Sequence, residues 1–351
     1  MVDPLPRIGV SEEQDGGMAA RRRIKRGIVL GGGGILGAAW TTGALCALEE
    51  VHGFNPCEAD VIVGTSAGSV LGALLAAGVT PTQMRDHQLG TPITEGVLAG
   101  FSWDYERATG GTRPPLPKLR GLGSGALLRS SLNSLARRRA LPPTAMLSAL
   151  LPEGSGSLER LGHLMDAITP MGEWTSHPNY WAVALDYESG ERVAFGRADA
   201  PAVPLSEAVM ASCAIPGWFS PVTIQGRRYI DGGAHSATNV DLVAGAGLDE
   251  VYVLAPMVSF ALDDPESVVA RLERRWRVQV TKRCLTEVEQ VRGAGADVVV
   301  LGPGPADLRH MGGNAMDVSQ RLAVLRSSLE TSVRALSDPE QIPGPGFADA
   351  G

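Results

Sequence analysis

The clearest chemical signal in this chain is Gly64-Thr65-Ser66-Ala67-Gly68, a match to G-x-S-x-G. A hydroxyl that attacks must project from a sheet without its own backbone blocking the substrate. A sharp strand-to-helix turn achieves this, and glycines at both ends let strand and helix approach closely. The surroundings fit: Val61 to Ser66 reads as an apolar strand, and AGSVLGALLAAG after it as a helix rich in small residues. That helix would aim its first N–H groups and positive dipole end at an anion formed beside Ser66. The plainer reading is a tight turn whose serine only caps the helix.

A second signal precedes it. GGGGILG, Gly31 to Gly37, follows the short apolar strand GIVL and opens a helix that runs to about Glu50. Gly32, Gly34 and Gly37 spell G-x-G-x-x-G, the mark of a dinucleotide loop. That use needs an acidic residue at the end of the next strand. Here that strand ends in Gly64-Thr65-Ser66, and Asp60 lies before it. The other use is an oxyanion hole. The backbone N–H groups of Gly32, Gly33, Gly34, Ile35, Leu36 and Gly37 would face a carbonyl attacked by Ser66, provided the two strands are neighbours. A glycine-rich turn needed only for close packing is the plain alternative.

A nucleophilic serine needs a base. Of six histidines, only His310, in LRHMGGN, follows the last strands as a Ser-Asp-His order requires. Lone loop histidines are mostly surface residues. Asp231, in Ile230-Asp231-Gly232-Gly233, is the stronger candidate. It ends an alternating strand and enters a glycine turn, so another side chain can come close and pass it a proton. An Asp-Gly pair is also a very common plain turn.

The elements around these residues alternate strand, turn and helix, which predicts a parallel sheet with helices on its faces. The sheet resumes at WAVALDY and RVAFG, then VTIQGRRYIDGG, VYVLAP and DVVVLGP. Helices are expected over Pro204 to Ala214, Pro265 to Arg292 and about Ala315 to Leu336. Residues 1–26 read as a flexible lead-in, about 85–175 as a lid-like insertion with helical stretches at Ala126–Arg138 and Leu158–Ile168, 245–338 as helices and strands completing the same domain, and 339–351 as a tail.

The chain has 351 residues, 44% apolar and 20% charged, with a net charge of −7. The acidic balance argues against a nucleic-acid binder. Two basic runs, Arg21-Arg22-Arg23 with Lys25 and Arg26, and Arg137-Arg138-Arg139, read as solvated surface or as contacts with an anionic membrane. Cys46, Cys57, Cys213 and Cys284 show neither CxxC pairing nor metal-ligand spacing, which predicts a reduced, cytoplasmic protein without a metal. The first residues lack a signal peptide's apolar core, and no apolar run reaches spanning length, so membrane contact is expected to be peripheral.

Taken in order, GGGGILG, GTSAG and DGG resemble the patatin-like phospholipases. Ala211-Ser212-Cys213-Ala214-Ile215-Pro216 with Phe219 and Pro221, and Asn239 after DGG, add to the likeness, which covers about residues 28–244. The resemblance implies a three-layer α/β/α sandwich with a mainly parallel sheet. It implies a Ser66 nucleophile with Asp231 as proton acceptor and no histidine, the Gly32–Gly37 loop as oxyanion hole, a lipid or other acyl ester as substrate, an acyl-enzyme, and no cofactor or metal. One departure stands out. The family usually carries Arg or Lys just before the loop's last glycine, where this chain has Leu36. A cation there would help hold a phosphate or oxyanion charge. Leu36 therefore points to an ester substrate more than a phospholipid, and it motivates the alternative of a catalytically weak or inactive lipid-binding protein. Trp40 stands where many members have His. Acyl chain length, head group and oligomeric state lie outside what the sequence specifies.

Overall fold

The computed structural model describes residues 22–104, 151 and 153–338. At its centre is an eight-stranded mixed sheet, ordered β5-β6-β3-β2-β1-β7-β8 with β4 also paired to β3. Five strands run parallel: β1 (Arg26–Leu30), β2 (Val61–Thr65), β3 (Tyr180–Asp186), β7 (Glu250–Leu254) and β8 (Asp297–Leu301). Beyond β3 the sheet turns antiparallel, with β4 (Arg192–Phe195), β5 (Val222–Ile224) and β6 (Arg227–Asp231).

The parallel strands are near-continuous apolar runs because both of their faces are covered. Ile28, Leu30, Ile62 and Leu254 point into one core. That core is shared with α1 (Gly34–His52), α2 (Ala67–Ala76), α3 (Pro81–Gln88), α4 (Glu159–Ile168), α5 (Leu205–Ser212), α7 (Pro305–Met311) and α8 (Arg321–Ser337). The alternate residues Val29, Val63, Val251 and Val253 pack on the other side against Val280, Cys284, Val288 and Val291 of α6 (Val268–Gly293). The result is three layers, and the α/β class expected from the motif order is present. α1 lies beneath α8, close enough that a Cβ on Gly43 would sit 2.7 Å from Ser328 Cβ. Trp40 is buried beside this contact, its indole N–H donating to Asp307 at 3.3 Å.

Two elements differ from the sequence pattern. His310 stands on the short helix α7, where Pro305 takes a first-turn position and the Asp307 carboxylate accepts the Gly304 N–H at 3.1 Å. The last helix starts at Arg321, not near Ala315. Asn314 and Asp317 accept the N–H groups of Met316 and Ser319, and these local bonds hold a turn where a helix was expected. The lead-in through residue 21, the tail from residue 339, and the stretch Ala126–Arg138 with most of the expected insertion fall outside the described residues. No described helix is long and apolar enough to cross a membrane.

Candidate active site

Ser66 ends the β2 turn with φ 54° and ψ −126°. A non-glycine residue held at positive φ is strained, and the contacts around it show what holds it there. A Cβ on Gly64 would lie 2.4 Å from the Gly68 carbonyl oxygen, and one on Gly68 would lie 2.0 Å from the Leu30 carbonyl oxygen. Strand, turn and helix therefore meet backbone to backbone. The Ser66 N–H donates to Ser212 Oγ at 2.9 Å, and Ser212 Oγ donates to the Val183 carbonyl at 2.6 Å. Asn239 donates to Thr65 Oγ1 at 3.0 Å. Ala67 opens α2 directly behind the serine, and the Ser66 side chain makes no capping bond to that helix. The plain capping reading does not describe this turn.

Asp231 ends β6, on the antiparallel side of the sheet, opposite Ala184. It is buried, its carboxyl accepts the Gly233 N–H at 2.7 Å, and it shares the cleft with Ser66, whose hydroxyl helps stabilise its charge. Burial raises its pKa to about 6, against the lowering effect of the Ser66 hydroxyl and the Gly233 N–H. The flanking glycines allow the approach: a Cβ on Gly232 would meet the Val183 carbonyl oxygen at 2.5 Å.

β1 and β2 are paired neighbours, so the glycine loop and the serine turn sit side by side. A Cβ on Gly32 would lie 3.1 Å from Ser66 Cβ. The loop N–H groups divide into two sets. Gly32 donates to the Ala237 carbonyl at 2.8 Å, Leu36 to Ala315 at 3.0 Å and Gly37 to Gly33 at 2.8 Å. Those of Gly33, Gly34 and Ile35 have no acceptor among the described residues. The six-residue donor set read from the sequence thus contains three groups already occupied, because the loop needs them to hold its own shape. The Leu36 side chain is fully buried in the main core and lines neither cavity at the serine.

His310 is exposed on α7 and lines neither of the cavities at Ser66. His235 does border the site, but burial, reinforced by Arg192 and Arg283, lowers its pKa to about 3. Those two cavities meet at the serine. One is a narrow apolar chamber of about 170 Å³, walled by Val70, Leu74, Leu161, Leu164, Phe219 and other apolar side chains. The second is a wider cleft of about 650 Å³ that carries Asp231, His235, Gln279, Arg283 and Asn314. Gly34, Ser66, Ile215 and Met316 line both.

Residues 28–244 match the family profile of the patatin-like phospholipases. The chain belongs to this family. It therefore falls among lipid acyl hydrolases. Two solved structures resemble this patatin-like chain. VipD from Legionella pneumophila is 14% identical with a TM-score of 0.40, over 90% of this chain and 67% of its own. The type III effector protein ExoU is 17% identical with a TM-score of 0.32, over 89% of this chain and 53% of its own, so the chain spans about half of ExoU's length. Within the patatin-like site, sequence reasoning quoted Ser212 and Cys213 but gave them no role. Ser212 fixes the serine's own backbone. Cys213 lies 3.8 Å from Ser69 Oγ and lines the chamber, its thiol pushed up by burial. Nothing in a short run of small residues at a helix end distinguishes either one.

Proposed function

We propose that the protein is a serine acyl-hydrolase that cleaves lipid acyl esters with a Ser66–Asp231 dyad. The observation that carries this is a buried carboxyl, Asp231, facing the same cleft as Ser66 and electrostatically coupled to its hydroxyl, where that cleft meets an apolar chamber. The acyl chain lies in the chamber and the alcohol portion in the cleft. Ser66 Oγ bonds to the ester carbonyl carbon while its proton passes to Asp231. The oxygen takes up negative charge and is received by the N–H groups of Gly33, Gly34 and Ile35 at the start of α1. Collapse of the adduct breaks the bond to the alcohol, which leaves with the proton from Asp231. Water then attacks the acyl-enzyme, Asp231 takes the water's proton, and the proton returns to Ser66 as the fatty acid leaves.

A base with its pKa raised to about 6 suits this cycle, because it is ionised at neutral pH yet basic enough to hold a proton in transit. Leu36 lends no support to a non-catalytic reading, since its side chain is buried in the core rather than turned to the cleft. The test is a panel of lipids and p-nitrophenyl esters, with a fluorophosphonate probe, on wild type, Ser66→Ala and Asp231→Asn. Labelling and hydrolysis lost in both variants support the dyad. Hydrolysis undiminished in both rejects it.

A further inference from the structure

α6 is not an ordinary surface helix. Val268, Leu272 and Trp276 recur at every fourth residue and are 64%, 58% and 42% exposed. Residues at that spacing share one face of a helix, so these three form a stripe and not scattered surface apolars. Continued along the same face, the stripe reaches Gln279 and Arg283, which with Trp276 line the cleft at Ser66. Arg271, Arg275 and Lys282 are exposed along one flank of it. The one acid between Val268 and Arg283 is Glu273, which is turned inward onto Arg274 and Arg277. A chain of net charge −7 therefore presents between Val268 and Arg283 an apolar ridge with a cationic border, the exposed carboxylates before it, Asp264 and Glu266, lying in the loop ahead of the first turn.

We propose that this face of α6 is the membrane-docking surface, seating the protein on an anionic lipid bilayer with the mouth of the Ser66 cleft against the lipid. An interfacial helix takes this form, with its apolar stripe in the acyl boundary and Lys and Arg at the level of the head groups. The face is carried by a single helix and combines exposed apolar side chains with Arg and Lys, a combination that matches an anionic lipid layer. Its continuity with the cleft gives a lipid a path from the bilayer to the serine without crossing water. This proposal rests on the acyl-hydrolase reading for its purpose and not for its measurement.

The test is flotation with phosphatidylcholine vesicles, with and without phosphatidylglycerol, using full-length protein in the Ser66→Ala background so that binding is read without turnover. Val268→Ser with Leu272→Ser lowers vesicle partitioning about tenfold or more, from the lost burial of two large apolar side chains. Arg275→Gln and Lys282→Gln each lower partitioning on anionic vesicles about fivefold, with a smaller salt dependence, and leave it unchanged on phosphatidylcholine alone. With Ser66 restored, the Val268/Leu272 variant hydrolyses a soluble short-chain p-nitrophenyl ester at the wild-type rate, which shows that it is folded, and loses activity on vesicular lipid. Vesicle partitioning unchanged in both sets of variants overturns the proposal. So does a shift in oligomeric state on size exclusion without a change in vesicle binding, which makes the ridge a contact between copies. Ester hydrolysis that survives in Ser66→Ala rejects the nucleophile assignment and leaves the vesicle result standing.

Discussion

The two cavities that meet at Ser66 differ in build. The chamber is narrow and walled mostly by apolar side chains, from α1, α2, α3 and α4 and from segments outside them such as Ile93, Phe101, Trp103 and Phe219. The cleft is about four times larger by volume and carries most of the polar groups, including Asp231, the proposed base. On the proposed reading, one side selects the acyl chain by size and the other admits water and a varied polar group. Such a division lets one serine be strict about the acyl chain and tolerant of the alcohol, and it places the carboxyl on the side where water must enter.

The largest effect expected is on the shared point. Ser66→Ala should lower kcat/KM by about 10⁴-fold or more on every ester, whatever its acyl chain or alcohol. Loss confined to long-chain lipids would mean that the serine shapes the chamber without attacking. Asp231→Asn should come close in activity while moving stability the opposite way. A carboxyl whose pKa rises from 3.8 unfolded to about 6 folded binds its proton more tightly when folded, so stability declines as pH rises through that window. Removing the charge should therefore add up to about 3 kcal/mol at pH 8, read by urea melts, and little at pH 4. In the wild type, kcat/KM should rise about tenfold per pH unit below 6 and level off above it.

Next in size is a narrowed chamber. Leu161→Trp should cost long-chain esters about 10–100-fold in kcat/KM and leave acetyl esters nearly unchanged. Equal losses on both would break the assignment of the acyl chain to that side. Ser212→Ala removes the acceptor of the Ser66 N–H and should lower kcat about tenfold with little change in KM, since an unpaired buried donor costs about 1–3 kcal/mol. The smallest effect belongs to His310→Ala, which should stay within about twofold, as surface substitutions usually do.

The parallel half of the fold was legible because β1, β2, β7 and β8 are buried on both faces and their sequences are plain apolar runs, with glycine or proline at or just past their ends. The motif residues were legible because backbone contact excludes any side chain at Gly64, Gly68 and Gly232, and a glycine required by contact is visible as a letter. The antiparallel edge was less so. Nothing in YIDGG announces that its strand runs against β3, yet that direction brings Asp231 to Ser66. The division of the loop N–H groups was hidden too, since it depends on Ala237 and Ala315, whose side chains have no part in it. Ser212 was illegible for the reverse reason: its role is a single hydroxyl between two backbone groups, and serine is common at helix ends.

Gly68 lies hard against the end of β1, with no room for even a methyl group. The spacing between the Ser66 hydroxyl and the glycine loop is thus gauged by hard contact as well as by hydrogen bonds. A gauge of that kind has almost no play. Mild denaturant at fixed temperature should leave the turnover number per folded molecule steady until the sheet itself gives way, so inactivation and global unfolding should trace one curve.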